Sequence, residues 1–170
     1  MPRHPERRPA GRGPGRRRLR GGLAALALLA PALLGVAPGG SGETISLSGI
    51  EPGERLDVTL VRVVDPTGPA PDDSDRLVAV QFHLENTGTA VYEDSPAASA
   101  HLLDSEGQRF GGLNVATAAG PGFPDTVFLK PDGTALGFVT FRLPQDADPA
   151  AVQFALNGGL ADDVGQWSLP

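Results

Sequence analysis

The sequence predicts an all-β fold, an antiparallel β-sandwich of about seven to eight strands, behind an N-terminal signal or hydrophobic helix. Three observations lead to this prediction. Apolar and polar residues alternate at a period of two in several short segments, which is the pattern of half-buried strands. The 170-residue chain contains 23 Gly and 17 Pro, so turns are frequent. An arginine-rich segment runs directly into an apolar run near the N-terminus.

Residues 1–40 have the pattern of a secretory leader. Eight arginines precede the apolar run Leu23–Ala37, which matches the basic and apolar regions of a signal peptide. The run is shorter than the roughly 20 residues of a comfortable membrane span, and Pro31 would kink a permanent helix. Small residues offer cleavage sites after Ala37 or within Gly39–Gly42. Export with cleavage is the main prediction. An uncleaved membrane anchor and a basic tail beside a buried helix are the alternatives.

The arginines also raise the alternative of nucleic-acid binding. Arg16–Arg18 also contains paired arginines like those of the twin-arginine export route, but the residues around the pair do not match that motif well, so the export route stays open. Basic arms bind phosphate groups. However, no aromatic residue lies among the arginines, and the region behind them is strongly acidic. We therefore expect no nucleic-acid partner, and contact with a membrane only through the N-terminal segment if it stays uncleaved.

From Ser41 onward the chain is acidic. It has six basic and nineteen acidic residues there, a formal charge of −13, whereas the whole chain carries −6. Residues 55–170 are predicted as one sandwich domain, and residues 41–54 as a linker with a candidate first strand. The chain has no cysteine, which excludes disulfides, thiolate metal sites and a lipid-bearing N-terminal cysteine. We expect a monomer.

Two segments show the strand pattern most clearly. In Leu77–Glu85 every second residue is apolar, so one face is expected to be buried. In Leu56–Val64 the alternation slips between Leu60 and Val61, which predicts a β-bulge. Further strands are predicted at Ala100–Leu103, Gln108–Phe110, Thr126–Leu129, Leu136–Leu143, Ala151–Leu156 and Gln166–Leu169, with a weaker candidate at Thr44–Leu47.

Turn residues separate these strands. Asp104–Gly107 predicts a hairpin with glycine in the left-handed position. Lys130–Gly133 has proline and glycine well placed for a turn. The small, irregular stretch Gly111–Pro124 is predicted as a long loop.

The order of these signals also resembles a known family. Val80–Gly88, Leu103–Gly107, Leu129–Thr134 and Gly137–Pro144 together resemble immunoglobulin-like domains of unknown function from secreted or lipid-anchored proteins of Gram-positive bacteria. That family is sometimes named after a telomeric-repeat-binding-factor-like fold, and the immunoprotective extracellular antigen proteins share the fold. The resemblance implies an immunoglobulin-like sandwich and supplies no catalytic residues. Because the lipid-attachment cysteine of many members is missing, release or an uncleaved anchor is favoured.

Asp72, Asp73 and Asp75 are the candidate metal ligands. Three carboxylates within Pro71–Asp75 offer the hard oxygen ligands that calcium prefers. Their spacing lacks the glycine and the final glutamate of a helix-loop-helix calcium loop, and such a loop is more often simply solvated. Apart from calcium at this loop, the sequence predicts no cofactor.

Other candidate chemistry is sparser. If their strands are neighbours, His83 and His101 could hold a transition metal with Glu85, although solvent-facing positions are the simpler interpretation. The chain has no Gly-x-Ser-x-Gly elbow, so a hydrolase is disfavoured unless a pocket places one of these histidines beside a serine. Tyr92 and Trp167 could stack a ligand, but core packing is the expected fate of both.

The function that fits these observations is an exported, non-enzymatic immunoglobulin-like binding or interaction module. Its partner would be an unknown protein or cell-envelope ligand, contacted through sheet edges or loops. A calcium- or metal-responsive extracellular domain using residues 72–75 is the alternative, and an extracellular hydrolase is less favoured. The expected location is extracellular, or at the membrane if the leader is retained.

Overall fold

A computed structural model describes residues 36–39, 42–70 and 72–169 of the chain, the first of these ranges as backbone only. The arginine-rich segment and the apolar run up to residue 35 lie outside the described residues, so the predicted leader helix stays a prediction. Among the described residues no helix is long and apolar enough to cross a membrane.

The described residues are almost entirely strands. The two helical segments are single turns, α1 at Pro96–Ser99 and α2 at Leu156–Gly159. The strands are β1 at Val36–Gly39, β2 at Thr44–Ser48, β3 at Arg55–Val64, β4 at Asp75–Asn86, β5 at Tyr92–Asp94, β6 at Ala100–Asp104, β7 at Arg109–Leu113, β8 at Val127–Leu129, β9 at Thr134–Pro144, β10 at Pro149–Ala155 and β11 at Val164–Ser168.

The strands form an antiparallel β-sandwich, which confirms the predicted fold class. The hydrogen-bonded order is β1-β11-β10-β6-β7-β9-β4-β3-β2, and β5 pairs with β8 in a small second sheet. Strand β7 links the two layers, because His101 of β6 lies opposite Gly111 while Phe141 of β9 lies opposite Gly112. Among the named strands of the described residues, β1 alone runs parallel to its neighbour, β11.

The core lies between the layers and follows the predicted alternation. In β4 the side chains of Val78, Val80, Phe82 and Leu84 are buried. The ring of Phe82 packs edge-on against Phe154 of β10 and Trp167 of β11, with ring centroids 5.5 and 6.0 Å away. Trp167 and Tyr92 are both buried in this core, as expected, and the Trp167 indole donates a hydrogen bond to the carbonyl oxygen of Glu43 at 2.8 Å.

Local features of the strands agree with the sequence in most places. The register of β3 against β4 shifts between Leu60 and Arg62, which confirms the predicted bulge. Gly107 has a φ of 82°, the left-handed value expected for the hairpin. In the turn that follows β8, Asp132 rather than Gly133 has a positive φ, at 65°.

Three features differ from the sequence prediction. Gly111–Leu113 belongs to β7 rather than to a loop, because its backbone completes the link between the two layers. Strand β1 lies within residues 1–40, the predicted leader, where no strand was expected. Strand β5 and helix α1 were not predicted either, since both are too short to show a period.

Candidate functional site

Three loops come together at one place on the domain. They are residues 48–55, which join β2 to β3, residues 87–91, which join β4 to β5, and residues 156–163, which lead into β11. We call these residues the loop cluster. The first two loops line an open cavity of about 500 Å³. Loops held on a rigid sandwich are common binding surfaces.

Backbone hydrogen bonds join the first two loops. The carbonyl oxygen of Gly53 accepts from the amides of Thr89 and Ala90, at 2.9 and 3.1 Å. The amide of Gly88 donates to the carbonyl oxygen of Arg55 at 3.1 Å. Gly53 has a φ of +88°, a conformation that side chains rarely adopt. These contacts hold the two loops as one unit.

The buried carboxamide of Asn86, at the end of β4, holds the 87–91 loop in place. Its Nδ2 atom donates to the carbonyl oxygens of Ala90 and Leu129, both at 2.9 Å. Its Oδ1 atom accepts from the amide of Gly88 at 3.0 Å. Asn86 is only 1% exposed, and a buried amide is stable only when it is paired in this way. The side chain therefore fixes the start of the 87–91 loop.

The third loop is tied to the first by side chains. Asn157 accepts from the amide of Ile50 at 2.9 Å and donates through Nδ2 to Glu54 Oε2 at 3.1 Å. Asp163 accepts from the amide of Ser48 at 2.9 Å. The left-handed φ of Asn157 is one that asparagine tolerates better than most residues. One asparagine thus connects two loops about a hundred residues apart in sequence.

Asp94 anchors the third loop to helix α1. Its carboxylate accepts from the amide of Ser95 at 2.7 Å and from Ser99 Oγ at 2.9 Å. The same carboxylate accepts from the amide of Gly158, at 3.1 and 3.0 Å to its two oxygens. The loop cluster is therefore held in shape by the folded chain before any partner binds.

Although its backbone is held, the cluster leaves apolar side chains in solvent. Ile50 is 60% exposed and Leu160 is 77% exposed. Their backbone amides both donate to Asn157, that of Ile50 to the side-chain oxygen at 2.9 Å and that of Leu160 to the carbonyl oxygen at 3.2 Å. The cluster carries four acids against one base. The acids are Glu51, Glu54, Asp162 and Asp163, and the base is Arg55. The cluster thus combines exposed aliphatic side chains with a net negative charge.

The predicted metal ligands lie elsewhere, before β4. The Asp72 carboxylate accepts hydrogen bonds from the amide and the hydroxyl of Ser74, at 2.9 and 2.8 Å. These hydrogen bonds, of which that from the amide has the larger effect, hold the pKa of the Asp72 carboxyl below its usual value. Asp75 forms an ion pair with Arg142, and Asp73 is exposed. Within residues 42–70 and 72–169 no three acidic or histidine side chains gather as a metal site. Calcium binding at residues 72–75 stays a prediction.

The two histidines are not brought together. His83 is on β4, opposite Thr59 and Leu136, whereas His101 is on β6 in the other layer, opposite Gly111 and Gln153. His101 and Ser99 line the same cavity, and a histidine beside a serine in a pocket is the arrangement that would favour a hydrolase. The Ser99 hydroxyl, however, donates to Asp94 and is 1% exposed. It is a structural hydroxyl, and not a nucleophile held by a histidine base.

Sequence reasoning did not identify the loop cluster. Its signals were present, because Gly53 and Thr87–Thr89 are turn residues and Ile50 is apolar within a turn. What the sequence could not provide was the pairing of loops that are far apart along the chain.

Several solved structures share the fold of this chain. MPT63, a secreted protein from Mycobacterium tuberculosis, gives a TM-score of 0.58 at 15% identity, over 78% of this chain and 97% of its own. A putative lipoprotein of Bacillus subtilis, ycdA, gives 0.56 at 11% identity, over 76% of this chain and 38% of its own. The B. subtilis protein yjhA gives 0.53 at 17% identity, over 78% and 99%.

This chain shares their β-sandwich fold. At such low identity the likeness concerns the fold alone. No protein-family profile and no curated protein sequence matches the chain.

Proposed function

We propose that this chain is an exported, non-enzymatic binding module that contacts a partner protein of the cell envelope through the loop cluster. The observation that carries the proposal is the combination found there. Cross-loop hydrogen bonds fix the backbone, while Ile50 and Leu160 are left exposed. A surface that is ordered beforehand loses little conformational entropy when it binds.

Two observations support export. The basic segment followed by Leu23–Ala37 has the pattern of a secretory leader. Two proteins that share the fold are described as a secreted protein and as a putative lipoprotein. The sandwich also agrees with the proposed membership of the immunoglobulin-like family of Gram-positive bacteria, whose motifs in Val80–Gly88 and Gly137–Pro144 fall on β4 and β9.

The charge of the cluster supports a partner with a basic surface. Four acids and one base favour a protein surface with basic residues around an apolar centre. Such a complex would weaken as salt rises, because exposed charges more than about 10 Å apart are screened at 0.1 M salt. The same acidic surface disfavours anionic wall polymers.

The test is crosslinking in the producing cells with the tagged full chain. We expect a discrete partner in the wild type and its loss when Ile50→Ser and Leu160→Ser are combined. Leu136→Ser is the matched control, since Leu136 is 57% exposed on β9, outside the cluster. Recovery of the same partner by both variants would contradict the assignment to the loop cluster. Confinement of the protein to the cytoplasm would overturn the proposed export.

A further inference from the structure

A second cavity lies on the outer face of the layer that contains β6, β7, β10 and β11. It has a volume of about 270 Å³. Its lining includes His101, Leu103, Arg109, Gln153, Ala155 and Val164. It shares no lining residue with the cavity of the loop cluster.

Small residues surround this depression, since Ser99, Ala155 and Gly159 line it and Gly111 lies beside it. Gly111 of β7 and Gln153 of β10 lie directly opposite His101, one on each side. A Cβ atom built on Gly111 would meet no heavy atom within 4 Å, so the space beside the imidazole is open. Ala155, at the edge of the cavity, extends only a methyl group. Gln153 is held to one side, because its Nε2 atom donates to Gln166 at 2.8 Å.

The polar lining suits an anion. Arg109 is exposed, and within residues 42–70 and 72–169 its guanidinium has no hydrogen bond or ion pair. In contrast, Arg76 pairs with Asp65, and Arg142 pairs with Asp75. No carboxylate lines the cavity, although the chain from Ser41 onward carries a formal charge of −13. A free guanidinium facing a cavity without acids favours a carboxylate ligand.

The rest of the lining is apolar. Leu103, Ala155 and Val164 provide hydrocarbon surface next to the polar groups. The volume of about 270 Å³ lies just below the range for ligand pockets, which is about 300–1,000 Å³. The ligand must therefore be small.

We propose that this cavity binds a small carboxylate with a short apolar tail, its carboxylate contacting Arg109 and His101 and its tail contacting Leu103 and Val164. An arginine can hold both oxygens of a carboxylate with two parallel N–H donors. The imidazole N–H of His101 can add a third hydrogen bond. This proposal does not rest on the partner proposed for the loop cluster, because the two cavities share no lining residue and Gly159 alone among the lining residues of this cavity belongs to the loop cluster.

Hexanoate is the probe, titrated into the isotope-labelled full chain at neutral pH and followed by NMR. We expect saturable shifts of the amides of residues 101, 103, 109 and 153. Hexanol has the same tail without the charge and should bind about tenfold more weakly or not at all. Absence of saturation with hexanoate would overturn the proposal, and so would equal binding of hexanol.

Two variants locate the binding. Arg109→Gln should weaken hexanoate binding about tenfold or more, and Gly111→Phe should block the cavity without removing any polar group. Arg55→Gln is the matched control, an exposed arginine in the loop cluster, and should bind hexanoate like the wild type. Unchanged binding by Arg109→Gln would refute the site. If Ile50→Ser with Leu160→Ser loses the partner protein yet keeps hexanoate binding, the two proposals are separated.

Discussion

Gly88 lies against the backbone of Gly53 with no room for a side chain. A Cβ atom at Gly88 would overlap the Gly53 carbonyl oxygen and come within 2.7 Å of the Arg55 amide nitrogen. Both neighbours are backbone atoms, so neither can rotate away. We therefore expect Gly88→Ala to separate the two loops and to lower the free energy of unfolding by about 1–3 kcal/mol, as measured by urea denaturation.

Gly111→Ala is the control for that experiment. A Cβ atom there meets open space, and neither glycine has a positive φ, so the two substitutions differ in steric fit rather than in backbone conformation. Gly111→Ala should leave stability unchanged or raise it by up to about 1 kcal/mol. A loss of equal size in both variants would show that the Gly53 contact is not the cause.

The contrast between strands and loops shows what the sequence could predict. The alternation in β4 and the slip at Leu60 reflect burial on one face of the strand. The local order of apolar and polar residues predicts which face is buried. The contact of Gly88 with Gly53 depends on how β2, β3 and β4 meet, which no local pattern records. His101 could be placed on a strand in advance, but not the open space beside it, because the neighbouring Gly111 was expected in a loop.

Removal of the Asn86 carboxamide, at the end of β4, should be among the most damaging single changes next to the loop cluster. Asn86→Ala deletes three hydrogen bonds, to Ala90, Leu129 and Gly88. At about 1 kcal/mol for each bond, the expected loss is about 3 kcal/mol, and the unpaired buried carbonyls add to it. Urea denaturation measures this loss. Exposed Asn114, which contacts only the Asp125 side chain, gives the control Asn114→Ala, expected to change stability by less than about 0.5 kcal/mol.

The hydroxyl of Tyr92 is a buried group that the fold does not satisfy. Among the described residues it has no hydrogen-bond partner. Burial, with a smaller effect of Asp94, raises the pKa of the phenol far above its usual value. An unpaired buried hydroxyl costs about 1–3 kcal/mol. Tyr92→Phe keeps the ring and removes the hydroxyl, so we expect the melting temperature to rise. Tyr92→Leu, which loses the ring, should lower it. A fall in melting temperature with Tyr92→Phe would mean that the hydroxyl has a partner.

His101 should make folding sensitive to mildly acidic pH. Burial has the larger effect and repulsion from Arg109 the smaller, and both lower the pKa of the imidazole below its usual 6.5. The unfolded chain therefore takes up the proton more readily than the folded chain. Protonation of His101 leaves the free energy of unfolding unchanged at pH values above 6.5. As the pH falls through 6.5, the free energy of unfolding decreases, and the decrease due to His101 ends once the pH is below the lowered pKa of the folded chain.

Unfolding measured from pH 7.5 downward should accordingly be less pH-dependent in His101→Gln than in the wild type. His83→Gln, a substitution in the other layer, is the comparison that controls for the loss of any histidine. Equal slopes for the wild type and His101→Gln through this window would contradict the effect.

Calcium provides the test of the acidic segment 72–75. The ion needs six to eight oxygen ligands, yet Asp75 is paired with Arg142 and the Asp72 carboxylate already accepts two hydrogen bonds from Ser74. Calcium would have to compete with an arginine for one ligand and with a turn for another. We therefore expect millimolar calcium to move the melting temperature by less than about 1 °C. A larger rise that disappears in Asp73→Asn would restore the calcium-responsive interpretation, whereas a rise that persists in this variant would place the ion elsewhere on the acidic surface.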